Sequence, residues 1–284
     1  MTFAVTLGLD TLSFMLALLL VTLGLVVIFG LMNVINMAHG EFFLIGAYCV
    51  VLIQKIGLSY WWALLLAPIV LIAVGLIIEE LVIRHIYRRF IDSILATWGI
   101  SLVLKQLIVI VFGATAQSVD SPIPGPVEIL GVTYPAYRLF IMGVAIALSS
   151  AMFLLFYCTP IGLAVRGVIA NRTMAASLGI NTRRLDRATF AIGAGIAGVA
   201  GAVMAPIMSV DPQMGVGFLI PAFLSILVGG SGTLLGALTG TAVISSTSVL
   251  VSDVWTQVVA QVVVFTLSIL VIRFFPRGIT GRRS

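Results

Sequence analysis

Residues 11–40 read TLSFMLALLLVTLGLVVIFGLMNVINMAHG, a stretch without a single Asp, Glu, Lys or Arg. A membrane-spanning helix needs about 20 apolar residues at about 1.5 Å rise each, and Thr11 to Leu31 meets that length. The tail, from Asn33 through Asn36 to His39, is too polar to continue a lipid-facing helix and reads as a break. The same test extends outward along the chain. Residues 56–78, 139–165, 188–210, 212–252 and 254–272 also lack charge, and residues 93–119 hold only Lys105. The 41-residue gap at 212–252 is long enough for two crossings. In lipid every backbone polar group must be bonded within the protein, and the chain has none of the alternation of a membrane barrel. The expected fold class is all-α, a polytopic transmembrane helical bundle.

Composition agrees. Of 284 residues only 25 are charged, or 9%, and 61% are hydrophobic, where a soluble domain carries about a quarter charged residues. Collagen, disorder, a disulfide scaffold and a nucleic-acid-binding domain are excluded. Cys49 and Cys158 lie in apolar stretches and offer no disulfide framework or metal spacing. The first apolar run is longer than a signal-peptide core, so it is expected as a retained span.

The net charge of +5 is a matter of topology. Arg84, Arg88 and Arg89 form one cluster. Arg166, Arg172, Arg183, Arg184 and Arg187 form a second, and Arg273, Arg277, Arg282 and Arg283 close the chain, leaving Lys55, Lys105 and Arg138. The positive-inside rule puts the three clusters in the cytoplasm. The Pro-rich stretch from Gly113 to Tyr137, Lys55 and the Asp211-Pro212 turn then fall outside. Spans are expected near 12–31, 40–54, 61–83, 93–112, 138–158, 188–208, 218–228, 234–251 and 256–273, with the N-terminus outside and the C-terminus inside. Residues 40–54 and 218–228 would reach only about 22 and 16 Å, short of the roughly 30 Å core. Each adjoins a break, Asn33 to Glu41 in one half and Gly229-Gly-Ser-Gly232 in the other. Paired interruptions of this kind point to discontinuous helices lining a translocation path. The count is thus eight to ten spans.

Several residues are candidates for function. Glu41 is an ionisable group at membrane depth, which is costly unless it faces the bundle interior, water or a partner. With Asn33, Asn36 and His39 it could line a solute path. Alternatively, Asn36 or His39 ends one helix and Glu41 occupies the first turn of the next, where the helix dipole favours it. No metal site is expected, since the other histidine, His85, lies in a basic loop. Thr97 and Trp98 put a hydroxyl and an indole in the fourth span, as path lining or as an interfacial anchor. Gly193, Ala197 and Gly201, and Gly236 and Gly240, read as close helix packing.

The loop from Thr159 to Arg187 is too long for a tight turn. Val165 to Leu178 has the spacing of a short amphipathic helix with an apolar stripe, and Gly179 offers a C-terminal stop. The small residues Ala175 and Ala176 favour docking to a cytoplasmic partner over lying on lipid headgroups. The chain has no phosphate-binding Gly-x-x-x-x-Gly-Lys-Ser/Thr loop, no His-Glu-x-x-His and no nucleophile elbow. It reads as a transporter component, not an enzyme, and no cofactor is expected.

Four ordered motifs carry a family resemblance. Gly30-Leu-Met-Asn-Val-Ile-Asn-Met-Ala-His-Gly-Glu41 resembles the signature near the start of membrane subunits of branched-chain amino acid and urea ABC importers. Asn171-Arg-Thr-Met-Ala-Ala-Ser-Leu-Gly-Ile180 resembles that family's ATPase-contacting loop, and Asp211-Pro-Gln-Met-Gly215 and Gly229-Gly-Ser-Gly232 fall where it has similar segments. Ala96-Thr-Trp-Gly-Ile-Ser-Leu102 and Thr182-Arg-Arg-Leu-Asp186 look closer to the urea branch, while Asp211 to Gly215 reads nearer to the amino-acid branch.

The resemblance implies one permease domain over residues 1–284 with an ATPase-coupling loop at 159–187. Arg166, Arg172, Ala175, Ala176, Gly179 and Ile180 would form the coupling surface. It also implies a homologous second permease subunit, two cytoplasmic ATPase subunits, an extracytoplasmic solute-binding protein and a bacterial inner membrane. Urea is the expected solute, moved by alternating access, with branched-chain amino acids as the alternative. An ion-coupled transporter or a passive urea channel would belong to another class.

Overall fold

The computed structural model describes residues 2–32, 34–86, 90–129, 131–230 and 232–280. Asn33, Arg88, Arg89, Arg282 and Arg283 lie outside the described residues. Eleven α-helices and one small hairpin make up the described chain. Helix α1 runs Thr2–Met32, α2 His39–Lys55, α3 Tyr60–Leu81 and α4 Phe90–Phe112. Strands β1 (Pro126–Ile129) and β2 (Val132–Pro135) precede α5 (Ala136–Cys158). The short α6 (Pro160–Ala170) and α7 (Arg172–Ser177) lead to α8 (Thr182–Met204), α9 (Met214–Gly229), α10 (Leu234–Val254) and α11 (Gln257–Phe274).

Seven helices are long and apolar enough to cross a membrane: α1, α3, α4, α5, α8, α10 and α11. The two short segments expected from the sequence are α2 and α9, of 17 and 16 residues. At about 1.5 Å per residue neither reaches about 30 Å unaided. Two details differ from expectation. Helix α1 begins at Thr2 and carries Asp10 within it. The Pro-rich segment holds an antiparallel hairpin, because Val132 and Tyr134 alternate inward and the Tyr134 hydroxyl donates to the Leu9 carbonyl at 3.2 Å.

The centre is an antiparallel pair, α1 and α8. A Cβ at Gly193 would lie 2.7 Å from the Gly24 carbonyl oxygen, and one at Gly24 would lie 2.6 Å from that of Gly193. Only glycine permits backbones so close, which is how small residues join helices in lipid, where no hydrophobic force does so. Gly198 likewise admits Leu71 of α3, and Gly201 admits the Phe43 carbonyl of α2. Both α1 and α8 are therefore mostly buried within this chain, whereas α4, α5 and α11 keep most of their apolar surface outward. At the far end of α8 its last carbonyls lack helical partners. Tyr60 of α3 donates to Ala202 and Tyr137 of α5 to Val203, at 3.1 and 2.8 Å, and the two hydroxyls meet at 2.9 Å.

The ends of the bundle are distinct. The hairpin closes over the start of α1, while the C-terminal segment reaches the end of α9, with Ile279 N–H donating to Val228 at 2.9 Å. Gly30, near the end of α1, lies against Gly232 beside that segment. The two termini thus lie at opposite ends of α1. Arg84, Arg166, Arg172, Arg183, Arg184 and Arg187 share the end away from the hairpin.

Gly201→Val should prevent folding, since even its Cβ would stand 1.8 Å from the Phe43 oxygen. Gly99→Ala meets nothing within 4 Å and should gain about 1 kcal/mol of helix propensity. Size-exclusion profiles and thermal midpoints in detergent check both. A monodisperse Gly201→Val protein would contradict this packing.

Candidate functional site

The first interruption doubles back into the bundle. After Met32 the chain turns, and α2 starts at His39, whose Nε2–H donates to the Val21 carbonyl at 3.0 Å. Val21 is near the middle of the apolar run of α1, so α2 begins at mid-depth. Helix α9 begins beside it: a Cβ at Gly40 would lie 2.8 Å from the Gly215 carbonyl oxygen, and one at Gly215 2.4 Å from that of Gly40. Two helix N-termini, each with free N–H groups and a positive dipole end, therefore meet inside the protein. Glu41 occupies the first turn of α2. The Asn36 side chain accepts from Ala38 N–H at 3.1 Å within the connecting turn, and the residue before α2, Ala38, provides no side-chain cap.

Helix α4 covers this break with a polar stripe. Ser93, Thr97 and Ser101 are spaced by four residues and all are buried. The Thr97 hydroxyl accepts from Met37 N–H at 3.1 Å and lies 3.2 Å from the Ile35 carbonyl. Ser101 continues the stripe, and Lys105, one turn on, reaches Gln213 before α9 at 3.4 Å. The repeat of hydroxyls at 93, 97 and 101, ending at Lys105, was readable in the sequence and was missed there.

The structure thus brings Asn36, His39, Glu41 and Thr97 together, and seals them: Asn36, His39 and Thr97 have no exposed surface and Glu41 has 2%. Trp98 is a correction. It is 55% exposed on the outward face of α4 and turned away from this cluster, because the stripe at 93, 97 and 101 takes the inner face. Asn33 is not among the described residues. Within that sealed cluster, Asn36 Nδ2, His39 Nδ1 and Glu41 Oε2 have no partner among the described residues, an unmet demand that a bound water or a shifted helix would satisfy.

The coupling segment also differs from the expected single amphipathic helix. It is an elbow of α6 and α7, broken at Asn171, whose side chain caps α7 by accepting from Met174 N–H at 2.9 Å. Gly179 then has φ +87°, with Gly179 N–H donating to Ala176 and Ile180 N–H to Ala175. That pair of bonds is a Schellman stop, for which glycine is suited. Arg172 forms an ion pair with Asp186, whose side chain is 1% exposed, and so pins α7 to the first turns of α8. Arg166 lies over the Tyr157 ring at 5.3 Å.

Ala175 is a second correction. It is 3% exposed and packs inward with Val165, Val168 and Phe190, so it is not a docking surface. Instead Met174 and Leu178, 60% and 76% exposed, stand outward beside Ala176.

Three clefts follow α1 along its length. One lies at the hairpin end, bounded by Asp10, Ser13 and Arg138. A second is apolar and lies near Leu19 and Leu23, between α5 and α10, and a third lies near Gly30 and Arg166. Among the described residues no His, Cys, Asp and Glu cluster could hold a metal ion.

An interrupted helix pair, an exposed elbow tied to the central helix and separate clefts along α1 define a membrane-embedded transporter subunit. Residues 8–272 match the family described as branched-chain amino acid transport system / permease component, and the chain belongs to that family. It is similar to the high-affinity branched-chain amino acid transport system permease protein BraD of Pseudomonas aeruginosa, at 30% identity over 93% of this chain and 91% of that protein. It is also similar to the corresponding permease protein LivH of Salmonella typhimurium, at 29% over 93% and 91%. A probable branched-chain amino acid permease of Methanocaldococcus jannaschii is 25% identical over 93% and 88%. No solved structure matches the chain.

Gly179→Ala should loosen the elbow, since a left-handed residue with a Cβ costs about 1–2 kcal/mol. Hydrogen exchange over 171–181 should accelerate while the exchange of α8 beyond Ile192 stays unchanged. Unaltered protection across the elbow would contradict the Schellman stop.

Proposed function

We propose that this chain is one of two permease subunits of an ATP-driven importer for branched-chain amino acids. The observation that carries this reading is similarity over nine-tenths of the chain to permeases named for that transport. The amino-acid alternative therefore replaces urea, which rested on short motifs around Thr97 and Thr182 and has no support among these relatives. Hydrolysis of ATP belongs to separate subunits, because the chain has no phosphate-binding loop. A homologous permease subunit and an extracytoplasmic binding protein complete the assembly. The basic end of the bundle faces the cytoplasm, which puts the hairpin and the N-terminus outside.

The elbow is the contact with the ATPases. Met174 and Leu178 enter an apolar groove on the partner, and Arg172 and Asp186 pass its movement to α8. Since α8 packs backbone to backbone against α1 and α2 and closely against α3, a tilt there moves the bundle as a unit. The Asn36–His39–Glu41–Thr97 cluster holds the interrupted helices shut in this state. It acts as a hinge for alternating access and not as an open lining.

With its partners in proteoliposomes, the chain should support ATP-dependent uptake of leucine, isoleucine and valine but not of urea. Leu178→Glu should cut uptake by about tenfold or more, equivalent to about 1.4 kcal/mol of contact energy, and reduce co-purification of the ATPases. ATP-independent uptake by this chain alone would overturn the proposal.

A further inference from the structure

The outer cleft combines features that the substrate reading does not by itself require. It has a volume of about 260 Å³ and lies where α1, α5, α8, α10 and α11 meet at the hairpin end. On one wall stand an anion and a cation, Asp10 of α1 and Arg138 of α5, in contact and 38% and 41% exposed. Tyr134 fixes both. Its hydroxyl proton is shared between the Leu9 carbonyl and Asp10 Oδ1, both at 3.2 Å, and its ring lies 5.8 Å from the Arg138 guanidinium. Both hydrogen bonds to Asp10 among the described residues fall on Oδ1, so Oδ2 and most guanidinium N–H groups remain for a ligand. Ser13, Ser248 and Gln257 add hydroxyl and amide groups, and Phe14, Met204, Ile207 and Val249 supply an apolar floor.

We propose that this cleft is an α-amino-acid subsite at the outer mouth, where Arg138 takes the ligand carboxylate, Asp10 takes its ammonium and an aliphatic side chain lies on the floor. The proposal rests on the amino-acid reading of the substrate and adds to it a place of recognition within the permease. A zwitterion presents two opposite charges a short distance apart. Placed head to tail on the Asp10–Arg138 pair, it makes an alternating square in which each charge has two opposite neighbours. The pair is already half solvated, so opening it to a ligand carries a small desolvation cost compared with a buried pair. Arginine presents a planar fork suited to a carboxylate. A neutral amide such as urea has no use for two fixed charges.

The test uses the importer assembled with its second permease subunit and ATPases in nanodiscs, without binding protein, so that recognition by the latter does not intrude. Cys49 and Cys158 are replaced by alanine, Ser248→Cys is introduced, and its modification by a membrane-impermeant thiol reagent is timed. L-Leucine at about ten times its dissociation constant should slow modification about tenfold. Leucinamide, which lacks the carboxylate, 4-methylpentanoate, which lacks the ammonium, and urea should leave the rate unchanged. Arg138→Gln and Asp10→Asn should each abolish protection while ATPase co-purification persists. Protection given equally by leucinamide, or retained in either single variant, would overturn the subsite. An importer that takes up leucine without protection overturns the subsite alone. One that takes up no branched-chain amino acid overturns the substrate reading and the subsite with it.

Discussion

A backbone N–H left bare in hydrocarbon costs several kcal/mol, and this chain interrupts two helices inside the membrane. Much of the architecture answers that constraint. The N-termini of α2 and α9 meet at Gly40 and Gly215, where each backbone shields the other from lipid. Helix α4 lays hydroxyls across the connecting turn, and Thr97 takes the Met37 N–H that no helix could satisfy. Helix α8 closes the cluster from behind at Gly193, which lies against Gly24, where a Cβ would also stand 2.9 Å from the His39 ring. Breaks of this kind are tolerated only within protein, and here four helices converge to provide it.

The same constraint separates the functions along the molecule. The polar interruption is enclosed, as a joint between rigid parts would be. The proposed recognition and coupling sites fall at the two ends of α1, the charged cleft beneath the hairpin and the elbow of α6 and α7. These ends are linked mechanically. Asp186 is buried, its ion pair with Arg172 fixes α7 to α8, and Tyr60 and Tyr137 hold the opposite end of α8 to α3 and α5. A displacement of the elbow reaches the outer end through a single stiff, closely packed helix.

What could be read from sequence was whatever lipid imposes on neighbouring residues. Charge-free runs located the long helices, and the short lengths of 40–54 and 218–228 located both interruptions. Contacts distant in sequence were not legible. Asp10 and Arg138 are 128 residues apart, and nothing in their local sequence pairs them. Ala175 looked like a docking residue because smallness suits either an interface or a core, and only the fold decides between them. Trp98 was misplaced for a related reason: it neighbours Thr97, but adjacent helical residues point about 100° apart, and the stripe at 93, 97 and 101 owns the inner face. The urea reading rested on a few residues of local motif and finds no support among relatives that are similar along nine-tenths of the chain.

The enclosed joint is the central claim, and solvent accessibility measures it directly. Single cysteines at Asn36, His39 and Ser248, in the assembled importer without ATP, would be exposed to a small charged thiol reagent from each face of the membrane. Asn36→Cys and His39→Cys should stay unmodified from both faces, while Ser248→Cys, half-buried in the cleft beneath the hairpin, reacts from the hairpin side. Ready modification of His39→Cys in that state would place an open aqueous path through the break and contradict the account.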